Sequence, residues 1–273
     1  MAKKAVPAAC ALSIGGLDPG GGAGLAADLR AFAVAKAFGC MAVAVITIQS
    51  TSGLRSARPV RSRELLAQAR EVLRHQSVRA IKTGALGSAA NVRAVGDLLA
   101  RHPNIPGVVD PVMLPSRGAG RLLAETAVEA LKKRLIPRAA LVTANVPEAE
   151  VITGTRITNV QSARNAALQI CRLGARAALV KGGHLEGREA IDVLVIDGET
   201  IELRASRLKI APLHGGGCTL ASLVAGHIAA DTRAFESDGA AIIKDAVKWA
   251  KRVHRGALAR PRDVGGDLRV LML

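Results

Sequence analysis

Two glycine-rich turns hold the residues with the most chemical potential in this sequence. The first, Asp18-Pro19-Gly20-Gly21-Gly22-Ala23-Gly24, lies between a short apolar run and a segment with helical spacing. Open α/β sheets bind ligands at the carboxyl ends of their strands, so this position favours a site before its chemistry is considered. The second, His214-Gly215-Gly216-Gly217-Cys218-Thr219, opens an apolar helix that continues through Leu220, Leu223, Val224 and Ile228. Glycines at a helix start expose unpaired backbone N–H groups, and the macrodipole adds positive partial charge. Together these make an anion site for which a phosphoryl group is the natural guest. The same field favours the thiolate of Cys218, which could then serve as base or nucleophile; the plainer alternative is a small apolar residue packed beneath the helix.

Two weaker clusters extend the chemistry. Asn145-Val146-Pro147-Glu148 and Lys181-Gly182-Gly183-His184 each follow a strand-like run, and Asp110 ends another. Lysine, carboxylate and glycine at strand ends suit a magnesium nucleotide. Taken singly, Asn145 with Glu148 reads as a helix cap with a first-turn acid, Lys181 as a surface charge and Asp110 as a cap. A nicotinamide site is disfavoured. Gly22-x-Gly24-x-x-Ala27 matches a dinucleotide fingerprint, yet no Asp or Glu lies between Asp28 and Glu64 to take the ribose.

The elements that must position these residues follow from periodicity. Residues 9–16 read as a buried first strand and 24–38 as a helix carrying Leu25, Leu29, Phe32 and Ala33 on one face. Residues 40–49 are nearly continuous and β-branched, as expected of a strand buried on both faces of a parallel sheet. Helices are predicted at 62–75, 89–100, 126–135 and 160–173, alternating with strands at 79–83, 107–112, 139–143 and 177–181. The rhythm then breaks: 190–196 and 200–205 flank Asp197-Gly198, a two-residue hairpin signal that puts an antiparallel edge on a mostly parallel sheet. Helical segments at 218–230 and 239–255 close the chain. No linker or repeat divides it, so a single α/β domain over residues 1–273 is expected.

Composition excludes several functions. Hydrophobic residues make up 49 % and charged residues 22 %, so the disorder signature is absent. There are 38 basic against 22 acidic residues, a net charge of +16. The basic residues are scattered, however, and their densest run, Arg55, Arg58, Arg61 and Arg63, has no aromatic residues interleaved as a nucleic-acid platform would need. The surplus therefore reads as a solvated surface that also attracts phosphorylated ligands, with no nucleic acid as partner. Cys10, Cys40, Cys171 and Cys218 share no metal or redox spacing, which fits reduced thiols in a cytoplasm. Lys3 and Lys4 before an apolar stretch imitate a signal peptide, but the stretch runs straight into the glycine turn and reads as strand. No run is apolar enough to span about 30 Å of bilayer.

In order, these segments resemble the hydroxymethylpyrimidine/phosphomethylpyrimidine kinases of thiamine biosynthesis, a branch of the ribokinase-like superfamily. The likeness rests on Gly15 to Gly24 leading to Ala27-Asp28-Leu29, then Thr47-Ile48-Gln49 and Val109-Asp110-Pro111-Val112-Met113. It continues through Asn145 to Ala149, Lys181 to His184 and His214 to Thr219. The resemblance implies a three-layer fold with helices on both faces of the sheet, and ATP with Mg2+ as cofactors. It also implies phosphorylation of 4-amino-5-hydroxymethyl-2-methylpyrimidine and then of its monophosphate, and a homodimer. By the same resemblance Gly16, Asp28, Gln49 and Val112 would line the pyrimidine pocket, with Gln49 hydrogen-bonding the ring. Gly215, Gly216, Gly217 and Cys218 would form the anion hole, Cys218 standing where sugar kinases carry a catalytic Asp. Asp110, Asn145, Glu148 and Lys181 would handle ATP, with Mg2+ held by Asp110 and Glu148 through water.

The chain departs from the family pattern at Leu17 (Ser or Thr), Ser50 (Asn), Ala85 (Met) and Gly216 (Thr). Two other readings share these residues: a kinase for pyridoxal or a related ring alcohol, and a pyrimidine-binding paralogue without turnover.

Overall fold

The structure, a computed structural model, describes residues 8–115, 117, 122–209 and 213–273. Its centre is a nine-stranded sheet in the order β3-β2-β1-β4-β5-β6-β7-β8-β9. The strands are β1 (Cys10–Leu17), β2 (Phe38–Ser50), β3 (Gly53–Pro59), β4 (Val78–Thr83), β5 (Gly107–Val109), β6 (Leu141–Asn145), β7 (Ala177–Lys181), β8 (Glu189–Ile196) and β9 (Glu199–Ser206). The six strands from β2 to β7 in that order run parallel, while β3 at one edge and the β8–β9 hairpin at the other are antiparallel. The Asp197-Gly198 turn thus closes the predicted hairpin.

Helices cover both faces. On one side α2 (Ser62–His75), α3 (Ala89–Arg101), α5 (Val146–Thr153) and α6 (Val160–Arg172) contribute Leu65, Val92, Ile152 and Ala163 to a core with Leu12 and Ile81 of the sheet. On the other, α1 (Gly24–Val34), α7 (Gly216–Ala230) and α8 (Phe235–Leu258) bring Phe32, Leu223 and Ile243 against Ala11, Val108 and Leu179. With almost no aromatic residues, both cores are built mainly of Ala, Val, Leu and Ile. This is the three-layer α/β arrangement expected. Among the described residues no helix is long and apolar enough to cross a membrane.

Several boundaries move for identifiable reasons. The first helix ends at Val34, and Lys36 adopts φ 62, so Phe38 begins β2 instead of closing the helix. β5 stops at Val109 because Pro111 has no N–H to give the ladder. The predicted helix at 126–135 is a composite: a 3-10 turn at Glu125–Ala127, the short α4 (Val128–Ala130), then wide π turns over Leu131–Leu135 before Pro137 ends it.

β2 was expected to be buried on both faces and is not. Met41, Ile46 and Ile48 are 45 %, 41 % and 62 % exposed, because this strand lies next to the sheet edge. Its outer neighbour β3 has no counterpart among the predicted strands. Arg55, Ser56 and Arg58 make it read as a polar loop, and those exposed charges suit an edge strand.

Candidate active site

The two glycine turns meet. Gly215 is the N-cap of α7 with φ 81, and a Cβ there would run into the Gly22 carbonyl oxygen. A second link joins the same stretches. The buried Asp18 carboxylate accepts from the N–H groups of Gly20 (2.9 Å) and Ala23 (2.8 Å) and from His214 Nε2 (2.8 Å). Burial alone would raise the Asp18 pKa, but these donors outweigh it and hold the carboxyl below its usual range. Behind His214, β10 (Leu213–His214) pairs with β11 (Arg269–Val270), so the tail braces the turn. The start of α7 and the first turn therefore share one wall of the site, and its glycine N–H groups open onto the cavity there.

That cavity has two connected parts. A cleft of about 670 Å³ is lined by Asp110, Asn145, Glu148, Lys181 and Gly215 to Cys218. A narrow recess of about 40 Å³ opens from it, walled by Gly16, Thr47, Lys82 and Ala85. Gln49, Val112 and Cys218 belong to both. A shift in strand register between Gly15 and Gly16 turns the end of β1 at the recess. Gln49 reaches His214 at 3.1 Å on the same Nε2 that donates to Asp18. A nitrogen whose proton goes to a carboxylate cannot also accept from an amide N–H. Its one proton is committed to Asp18, so the Gln49 amide makes no full hydrogen bond there and, bordering the recess as well, keeps its capacity for a ligand.

Of the four residues expected around the ring, Gly16, Gln49 and Val112 line these cavities and Asp28 does not. Asp28 is fully buried on α1 and its carboxylate is saturated. It accepts from Lys82 Nζ at 3.0 and 2.9 Å, from Ser13 at 2.6 Å and from Ser222 at 2.6 Å. The polar group that β4 sends to the recess is Lys82, which was absent from the expected site. A lysine inside the buried run Val78–Thr83 was its only signal, since such a charge needs a partner.

In the cleft, Lys181 Nζ lies 3.4 Å from Asp110 and 3.9 Å from Glu148. Asn145 and Glu148 form the capping box of α5, each side chain accepting from the other's backbone N–H at 2.8 Å. The plain reading of these two, a helix cap with a first-turn acid, is thus realised, and both also border the cleft. Burial pushes Glu148 up to about 7, with Asp110 adding and Lys181 opposing. For Lys181 burial works downward, yet the two carboxylates prevail and raise its pKa. A Cβ on Gly217 would be 3.4 Å from Lys181 Nζ, which places the ammonium beside the α7 amides.

The helix field does not win at Cys218. Burial pushes its thiol up to about 12; Lys82 and the Gly24 N–H pull downward, while Asp110 and Asp28 add to the rise. The expected bias toward thiolate is therefore reversed. From α8, the buried His254 donates Nε2–H to the Gly216 carbonyl at 2.8 Å. Burial, helped by Lys251, lowers its pKa to about 4, so this strut is a neutral imidazole.

A glycine-rich helix start, a lysine flanked by carboxylates and a half-enclosed recess, all at one rim of a mostly parallel sheet, form the arrangement of a phosphotransferase of the ribokinase-like class. Comparison with known proteins narrows this. Residues 18–269 match the family model described as phosphomethylpyrimidine kinase. The hydroxymethylpyrimidine/phosphomethylpyrimidine kinase of Streptomyces coelicolor is 37 % identical over 94 % of this chain and 91 % of its own. Among solved structures, the phosphomethylpyrimidine kinase of Clostridium difficile superimposes with a TM-score of 0.76 at 33 % identity, over 90 % of this chain and 98 % of that one. Bacillus subtilis pyridoxal kinase, as an ADP complex, gives 0.86 at 27 % identity over 97 % of both. The chain belongs to the phosphomethylpyrimidine kinase family.

Proposed function

We propose that this chain, as a single catalytic domain, transfers the γ-phosphoryl group of ATP to the hydroxymethyl oxygen of 4-amino-5-hydroxymethyl-2-methylpyrimidine and then to the resulting monophosphate. The observation that carries this is the shared wall: Cys218 and Gln49 border both the narrow recess and the cleft where the α7 amides face Lys181. An acceptor alcohol in one and a phosphoryl group in the other come within reaction distance.

The N–H groups of Gly216, Gly217 and Cys218 hold the transferring phosphoryl, and Lys181 balances its charge. Such transfers pass through a loose transition state, so aimed donors matter more than a strong base. Mg2+ fits the residues present. Asp110 Oδ2 is buried without a hydrogen-bond partner, and Glu148 supplies a second hard oxygen donor nearby. Among the described residues no group of three or more His, Cys, Asp or Glu that could hold a metal ion occurs. Bound at Asp110 and Glu148, Mg2+ would neutralise phosphate charge.

The test is ADP release with the hydroxymethyl and phosphomethyl pyrimidines and pyridoxal offered side by side. Turnover of both pyrimidines is expected. Turnover of pyridoxal alone would move the assignment to that alcohol, and tight pyrimidine binding with no ADP released would make the chain a binding protein. Gln49→Ala should raise the KM for the pyrimidine about tenfold, as loss of one hydrogen bond to a buried ring predicts. An unchanged KM would remove Gln49 from ring recognition.

The reading extends to a homodimer, as the resemblance implies. Met41, Ile46 and Ile48 leave an apolar stripe along β2, which a second copy would cover. Sedimentation should show a dimer that Ile48→Glu weakens; a monomeric wild type at micromolar concentration would end the idea. Four free thiols are compatible with a reducing, cytoplasmic setting.

A further inference from the structure

Lys82 is the one deeply buried cation at this site that the mechanism above leaves idle, at 1 % exposure. Two of its three ammonium protons go to Asp28; among the described residues the third meets no acceptor. Its side chain lies on the recess wall beside Gly16, Gln49 and Cys218. Room for it is made by Gly84, where an added Cβ would sit 2.9 Å from Nζ, closer than real Cβ contacts come. Desolvating an ammonium costs several kcal/mol even when it is paired. Spending that cost on a donor that faces a ligand recess is poorly explained by stability, because an apolar pair would hold the same elements at least as well.

We propose that Lys82 is a further catalytic residue, whose free N–H serves the acceptor oxygen and the Cys218 sulfur as a proton passes between them. The inference rests on the phosphotransfer reading. In the step, Cys218 first loses its thiol proton to solvent, a loss that burial opposes and the Lys82 charge eases; the acceptor O–H then breaks and its proton goes to Cys218 Sγ. The acceptor oxygen bonds to the γ-phosphorus, and the bond to the bridging oxygen breaks with its electron pair leaving on ADP. Negative charge grows on oxygen before that bond forms, beside a fixed cation that needs no reorganisation. The charges facing Lys82 are Asp28 from α1, Cys218 from α7 and Asp110 after β5; Cys218 also feels Lys181 from β7. Lys82 is the group that pulls hardest against burial at the thiol.

The experiment uses Lys82→Met and the double variant Lys82→Met/Asp28→Asn, which leaves no unpaired buried charge. Circular dichroism checks that both fold. Without ATP or pyrimidine, alkylation of Cys218 by iodoacetamide is followed against pH by peptide mass. The alkylation rate at a given pH should fall about tenfold in Lys82→Met, and by less in the double variant, where the opposing Asp28 charge is removed as well. In ADP release, kcat should fall about a hundredfold, with the pyrimidine KM changing much less. A folded double variant with the wild-type alkylation profile and wild-type kcat overturns the proposal. A shifted alkylation profile in a protein whose wild type phosphorylates no ring alcohol supports the placement of the cation and refutes the phosphotransfer reading instead.

Discussion

Gly215→Ala should lower kcat/KM for both ATP and the ring alcohol by about two orders of magnitude or more while leaving a folded protein. At φ 81 an alanine loses about 1 kcal/mol from backbone strain alone, which a protein of this size tolerates. The larger effect is steric. The new Cβ would overlap the Gly22 carbonyl oxygen, and neither atom can swing aside as a long side chain could. Either the first turn retreats from the recess or α7 retreats from the cleft. The His214–Asp18 hydrogen bond, one residue away, resists both movements. Acceptor and phosphoryl sites would separate, and displacements on the order of 1 Å cost about a hundredfold in rate. Steady-state ADP release with each substrate varied, and circular dichroism as the check on folding, measure this. Near-normal kcat/KM values would mean that the close approach of the two turns has no part in catalysis.

That same contact explains which parts of the site were legible in the sequence. The first glycine turn, Asp110, Asn145 and Lys181 sit at the ends of central-sheet strands, with Glu148 in the helix that follows, and strand ends can be read from hydrophobic rhythm alone. Their convergence follows from a parallel sheet, which lines up all carboxyl ends at one rim. Asp28 shows where that logic stops. Its place near the first turn was legible, but its direction was not, because a helix residue one position away faces another layer. Its partner Lys82 lies 54 residues along the chain, a pairing set by tertiary packing rather than any local pattern. The same holds for His254, whose bond to Gly216 spans 38 residues. The thiol of Cys218 failed for an energetic reason: the helix field is worth about 1 kcal/mol or less in most settings, and burial in this wall exceeds it. Among the strands, β3 was hidden by its charges and β2 appeared more enclosed than it is, since a continuous apolar run does not say how near the sheet edge its strand lies.

Asp28→Asn provides the largest expected change in stability, and its pH dependence should carry a distinctive sign. The carboxylate ties together β1 through Ser13, β4 through Lys82 and α7 through Ser222. In the wild type, burial works to lower the Lys82 pKa, but Asp28 more than compensates and raises it. A lysine with a raised folded-state pKa lends stability that is complete below its unfolded value, about 10.4, and fades only above it. Wild-type stability should therefore show no contribution from this pair to any change between pH 7 and 9.5. Removing the charge leaves the ammonium buried without its partner, which typically costs about 3–5 kcal/mol. Burial then acts almost unopposed on Lys82, its pKa falls below the unfolded value, and the unfolded chain binds the proton more tightly. Stability of the variant must consequently rise with pH over the window in which wild-type Lys82 contributes nothing. Urea unfolding of both proteins at pH 7 and 9.5 reads the difference: a deficit of about 3–5 kcal/mol at pH 7 that narrows at pH 9.5. A deficit of equal size at both pH values would show that Lys82 stays fully protonated without Asp28, and that some other group near the recess carries the compensating charge.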